Sequence, residues 1–151
     1  MRVQSCFGKL AGIHPLVGSQ GDAHALAAWK AESGGRFDII VDDGSHKNGD
    51  IKVTFDALFN DALAPGGVYF IEDLHVGRSG SYMDANASMP NPVMADIIKD
   101  WVEQLAIWPS DALYVHKLPA NVSFVMCQAE ACAIGKNGGT GTYHTRATGG
   151  V

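Results

Sequence analysis

With 151 residues, 46% hydrophobic and 18% charged, the chain is long enough for one domain with a real core and too short for two. A formal net charge of −5 and eleven scattered Lys and Arg exclude a basic stripe that tracks a phosphate backbone, and no apolar run reaches the ~20 residues needed to span a bilayer. The mixed opening "MRVQSCFGKLAGIHPL" lacks the apolar block of a signal peptide. Cys6, Cys127 and Cys132 show no metal-ligand spacing and read as reduced thiols of a cytoplasmic protein.

In chain order, "HPLVGSQGD" reads as a short strand near Leu16–Gly18 that turns at Ser19-Gln20-Gly21. Asp22 is then an N-cap for a helix through about Glu32, with Ala25, Leu26 and Trp29 on one face, and "SGG" ends it. "FDIIVD" has the continuous β-branched run of a strand buried on both faces of a parallel sheet. Ile51, Phe55, Leu58, Phe59 and Ala62 repeat at helical spacing, and Pro65-Gly66-Gly67 stops that helix before a second buried strand, "VYFIED". A long Gly/Ser/Asn-rich loop, "HVGRSGSYMDANASMPN", reads as a lid or substrate loop. Asn91 and Pro92 start a helix that carries Met94, Ile97, Ile98, Trp101 and Leu105 inward. "ALYVHKL" and "VSFVMCQ" read as a closing antiparallel strand pair, and the Gly-rich tail from Gly135 reads as disordered. These elements predict one Rossmann-like α/β domain over 1–134, a parallel sheet with helices on both faces, followed by a low-complexity tail over 135–151.

In open parallel sheets, ligands bind at the carboxyl ends of the strands. Two neighbouring strands here end in acid and histidine: "FDIIVDDGSH" on Asp42, Asp43 and His46, and "VYFIEDLH" on Glu72, Asp73 and His75. Strands joined by one crossover helix are neighbours, about 5 Å apart, so these ends share one edge. Hard oxygen ligands so arranged suit a divalent cation such as Mg2+, which also relieves the repulsion between like charges. Single acids at strand ends also serve as caps and turn residues, and His75 and His116 receive no role.

"FDIIVDDGSHKNGDIKVTFDALFNDALAPGGVYFIEDLH" resembles the second half of a class I S-adenosylmethionine-dependent methyltransferase. More narrowly, "DDGSH…PGG…IED" is similar to the metal-dependent O-methyltransferases of macrolide sugars and to the cephalosporin-hydroxylase-like group. The likeness covers roughly residues 16 to 127 and is concentrated over 37–74. The resemblance implies Asp43, Glu72 and Asp73 as magnesium ligands and His46 as general base. It implies Asp22, with Ser19 and Gln20 in the same turn, on the adenine side of an S-adenosylmethionine pocket, and leaves Asp42 as a structural or cofactor-side residue. The family's glycine-rich turn after its first strand has no counterpart in this sequence. The implied activity is methyl transfer to a hydroxyl of a small acceptor, by a chain of a kind that generally associates into homo-oligomers. The alternatives are an inactive fragment, a metal-binding or interaction domain of the same fold, or a metal-dependent hydrolase using the same carboxylates.

Overall fold

The computed structural model describes residues 12–80, 82, 92–107 and 114–139. Its elements are α1 (Ala23–Ser33), β1 (Phe37–Asp42), α2 (Asn48–Leu58), β2 (Leu63–Ile71), a 3-10 helix (Leu74–Arg78), α3 (Met94–Ala106), β3 (Val122–Gln128) and β4 (Ala131–Lys136). The sheet runs β1-β2-β4-β3, with β1 and β2 parallel and the other two pairings antiparallel. Among the described residues no helix is long and apolar enough to cross a membrane.

Local chemistry accounts for most boundaries. Asp22 caps α1 by accepting from the His24 N–H at 2.9 Å, and Gly34 ends the helix in the left-handed region at φ 77°. The segment at Leu16–Gly18 is not a strand. A Cβ on Gly18 would lie 2.7 Å from that of Ala25, so the chain turns there and packs against α1 instead of pairing. Pro65-Gly66-Gly67 lies inside β2 rather than before it, because β2 begins at Leu63. The register jumps from Phe37↔Leu63 to Ile39↔Val68, so the intervening residues bulge and proline needs no ladder bond. A side chain on Gly67 would meet the Asp38 carbonyl oxygen at 2.8 Å, which demands glycine at this crossing of backbones.

The core lies between the sheet and α1, α2 and α3. Phe55 stacks on Phe59 at 4.6 Å, meets Tyr69 edge-on at 5.2 Å and contacts Trp101 at 5.1 Å, so β2, α2 and α3 share one aromatic cluster. On α3 the buried stripe is Met94, Ile97, Ile98, Trp101 and Gln104, while Leu105 is exposed. Gln104 continues the helical period. Its amide is buried because it donates to the carbonyls of Asp100 and His116 and accepts from Leu118 N–H.

The described part of "ALYVHKL", Tyr114 to Leu118, is irregular and leaves Val115 exposed, so the closing pair is instead β3 with β4. Gly135 and Lys136 therefore belong to the sheet, and a boundary at residue 134 would cut β4. Cys127 and Cys132, directly opposite on these strands, form a disulfide, which corrects the reading of both as reduced thiols. Asn91, most of the proposed lid and the tail from residue 140 lie outside the described residues.

Candidate metal and acceptor site

Parallel pairing of Asp42 with Ile71 brings both strand exits to one level, and the Glu72 N–H extends the ladder to the Asp42 carbonyl at 3.1 Å. Beyond this point Asp43 Oδ1, His46 Nε2 and Asp73 Oδ2 converge. His46 Nε2 lies 4.0 Å from Asp43 and 3.5 Å from Asp73, and the ligand atoms of all three lie within 4.8 Å of one another. His46 and Asp73 reach these positions from left-handed backbone, at φ 57° and 52°, a region that His and Asp enter more readily than most residues. The Glu72 side chain is exposed and its carboxylate is not part of this group.

The loop carrying Asp43 and His46 is clamped from below. Gln20 Oε1 accepts from Ser45 N–H, while Gln20 Nε2 donates to Asp42 Oδ1 at 2.7 Å and to Thr54 Oγ1 at 3.3 Å. Gly44 allows this approach, since a Cβ there would overlap the Gln20 amide. Tyr69 OH donates to the other Asp42 oxygen at 2.9 Å. Burial pushes the Asp42 carboxyl above its ordinary value, against the hydrogen bonds from Gln20 and Tyr69, and burial with the facing Asp42 pushes the Tyr69 phenol up. Both Asp42 oxygens and the Gln20 amide are thus engaged within the protein. Ser19 is exposed, and an Asp22 oxygen is used in capping α1.

A second clamp holds the chain after β2. Buried Asn48, at the start of α2, donates to the Gly77 carbonyl at 2.7 Å and accepts from Met94 N–H at 2.8 Å. Arg78 and Asp96 add an exposed pair at 2.6 Å between the 3-10 helix and α3. Sequence analysis assigned no role to Asn48, Thr54 or Tyr69. For Tyr69 the signal was present, since strand alternation puts it on the same face as Ile71 and next to Asp42. Tyr82, 6.0 Å from the His46 ring, and a second group of Asp73, His75 and Glu130 emerge only from tertiary contacts.

Beside this cluster, a groove of about 360 Å³ runs along β1, lined by Gln20, Trp29, Val41, Asp42, Asp43 and Tyr69 among others. Asp43 faces both groove and carboxylate cluster. The arrangement can hold a hard cation, with a proton acceptor next to it and an elongated ligand alongside.

No protein-family model matches the chain. Over 70 residues, 46% of its length, it is 52% identical to 8-demethyl-8-(2-methoxy-alpha-L-rhamnosyl)-tetracenomycin-C 3'-O-methyltransferase of Streptomyces olivaceus, 17% of which is covered. Over 62 residues, 41% of the chain, it is 47% identical to demethylmacrocin O-methyltransferase of Streptomyces fradiae, 15% of which is covered. The solved MycE methyltransferase of the mycinamycin pathway, in complex with Mg, SAH and mycinamycin VI, superposes with a TM-score of 0.61 at 26% identity. That match spans 85% of this chain and 33% of MycE. The chain thus spans less than a fifth of these curated relatives and a third of the solved one.

Proposed function

Taking this kinship with sugar-directed O-methyltransferases as premise, we propose that the chain carries the metal-binding, acceptor-activating part of a magnesium- and S-adenosylmethionine-dependent O-methyltransferase. Its acceptor is a hydroxyl on a small molecule such as a sugar-bearing natural product. The supporting observation is the convergence of Asp43, His46 and Asp73 at the ends of two adjacent parallel strands, with Asp43 shared by the groove.

The donor set fits a hard cation. Asp43 and Asp73 offer carboxylate oxygens, and Glu72 stands at the same strand end as a further candidate ligand. Imidazole is a poor magnesium ligand, which leaves His46 free for proton transfer. When bound, Mg2+ would acidify a coordinated hydroxyl and S-adenosylmethionine would supply the methyl group. His46 Nε2 takes the acceptor proton, and the carboxylates at 3.5 and 4.0 Å stabilise the imidazolium that forms. Ser19 and Asp22 contribute to the cofactor side from the turn beside Gln20, and Gln20 with Asp42 forms the polar wall of the groove. Homo-oligomeric assembly accompanies this reading.

A second reading, a metal-binding or interaction domain without methyl transfer, is favoured by one observation: Gln20, Asp42, Thr54 and Tyr69 in the groove hydrogen-bond to one another. Calorimetry with Mg2+ and with S-adenosylhomocysteine separates the two. Binding of both, with Mg2+ binding lost in Asp43→Ala, supports the enzyme. Mg2+ binding alone supports the second reading, and unchanged Mg2+ affinity in Asp43→Ala would remove the site from both.

A further inference from the structure

The turn joining β3 to β4 reaches back to the candidate metal site. Ile71, the last residue of β2, pairs with Cys132, and Cys132 pairs with Cys127, so the three form one row across the sheet just short of Asp73. The disulfide closes this row, and beyond it Gln128 pairs with Ala131 around a turn of Ala129 and Glu130. The Glu130 carbonyl accepts from the Leu74 N–H at 2.8 Å, and Leu74 directly follows Asp73. The Glu130 carboxylate adds a second approach, with Oε2 3.9 Å from His75 Nδ1, which lies 3.9 Å from Asp73 Oδ1. Glu130 holds this position at φ 71°, left-handed backbone that glutamate seldom adopts, so the turn keeps its shape through what fixes its ends. One of those fixtures is the disulfide. Bridging residues only five apart on strands already paired, it gains least from loop closure, which grows with loop length, and its constraint falls on the turn. β3 is an edge strand, Cys127 is exposed, and both cysteines line a groove shared with Leu74 and Ile98, so a small reductant reaches the bridge.

We propose that the Cys127–Cys132 disulfide is a redox switch on the metal site. Oxidised, it fixes the turn whose Glu130 carbonyl anchors Leu74, and this holds Asp73 toward His46, 3.5 Å away, and Asp43. Reduced, the turn loosens, the anchor at Leu74 weakens, and the site binds a divalent cation less tightly. The step is a two-electron reduction by an external dithiol. A thiolate of the dithiol attacks one sulfur, the Sγ–Sγ bond breaks, and a mixed disulfide forms. The second thiol of the reductant resolves it, leaving Cys127 and Cys132 as thiols that carry the two protons and the reductant as a disulfide. An exposed disulfide is of the labile kind that such exchange reaches. The inference names a regulation of the site described above and rests on Asp73 being a metal ligand there.

The test compares air-oxidised protein with protein reduced by dithiothreitol and desalted without oxygen. Thiol titration should count one thiol in the first and three in the second, Cys6 being the third cysteine of the chain. Mn2+, standing in for Mg2+, is followed by electron paramagnetic resonance, and exchange of the Leu74 amide by nuclear magnetic resonance. Reduction should weaken Mn2+ binding about three- to tenfold, less than outright removal of a residue that supports a metal ligand. The Leu74 amide should exchange at least about tenfold faster, while the circular dichroism of the two states coincides. Reoxidation restores both values. Cys127→Ala with Cys132→Ala should show the reduced-state values and ignore dithiothreitol, and the redox cycle on the unaltered chain decides the matter whether or not that variant folds. Equal Mn2+ affinity in the two states, or three thiols before reduction, would overturn the switch and leave the metal site standing. Absence of Mn2+ binding in both states would remove the metal reading and the switch with it. An affinity change with Leu74 protection unaltered, or unfolding on reduction, would overturn the route through the turn.

Discussion

The two faces of this sheet are built from the same strands, alternating except at the bulges in β2 and β3, yet they carry opposite burdens. On the helix side Tyr69, Ile71 and Ile134 are fully buried, and the polar groups among them, Asp42 and Thr54, are hydrogen-bonded. On the other side Ile39, Val41 and Met126 face outward with nothing described above them. Stability and the support of the Asp43–His46 loop are therefore products of the covered face. Side-chain character alone does not separate them, since both are apolar. What separates them is which residues have partners.

The sharpest way to break the contrast is to hollow out the covered face. Phe55→Ala removes the ring that joins Phe59, Tyr69 and Trp101 and should cost about 3–5 kcal/mol in urea unfolding. Met126→Ala on the bare face should stay within about 0.5 kcal/mol. Equal losses would mean the two faces are not distinct. Next in size, Asn48→Ala strands the buried Gly77 carbonyl and Met94 N–H and should cost about 2–4 kcal/mol, measured the same way.

Gln20→Ala addresses the link between packing and site, because Gln20 holds the Asp43–His46 loop without belonging to the ligand group. It should weaken Mn2+ binding, followed by electron paramagnetic resonance, about 10–100-fold while the fold persists. An unaltered Mn2+ affinity would show that the loop holds its shape unaided.

The smallest effect is a pH dependence. Burial raises the folded-state pKa of Asp42 above its unfolded value, so the metal-free folded protein binds a proton more readily than the unfolded chain. The destabilisation is full above the folded pKa, shrinks as pH falls through it and is gone below the unfolded value. Relative to Asp42→Asn, the wild type should therefore gain stability on acidification. Parallel denaturation curves from pH 7 to 4 check the sign.

Much of the fold could be read before the structure. "FDIIVD", "VSFVMCQ" and the capped helix after Asp22 announce themselves as elements because their signals are local: a β-branched run, an alternation, an Asp and a Gly at the right ends, but β1 is not buried on both faces as its run suggested, since Ile39 and Val41 are exposed. The misreadings share a non-local cause. Pro-Gly-Gly looked like a helix stop, but a bulge lets the strand run through it. Gly135 and Lys136 looked like tail, yet Gly135 is fixed opposite Phe124 and Lys136 donates to the Asn60 and Leu63 carbonyls. Leu105 satisfied hydropathy, but the helical phase gave its place to Gln104.

The sequence by itself determined which side chains stand at the strand ends, because acid and histidine directly after two apolar strand runs come side by side wherever those strands are neighbours. Tertiary structure decided the geometry. It grouped Asp43, His46 and Asp73 and set Glu72 aside, since left-handed backbone at His46 and Asp73 aims side chains in directions that alternation does not predict. It also spent Gln20 and Asp42 on each other and left one sheet face bare. Each of these outcomes depends on which distant residues arrive at hydrogen-bonding or contact distance, and no local pattern in the chain encodes that.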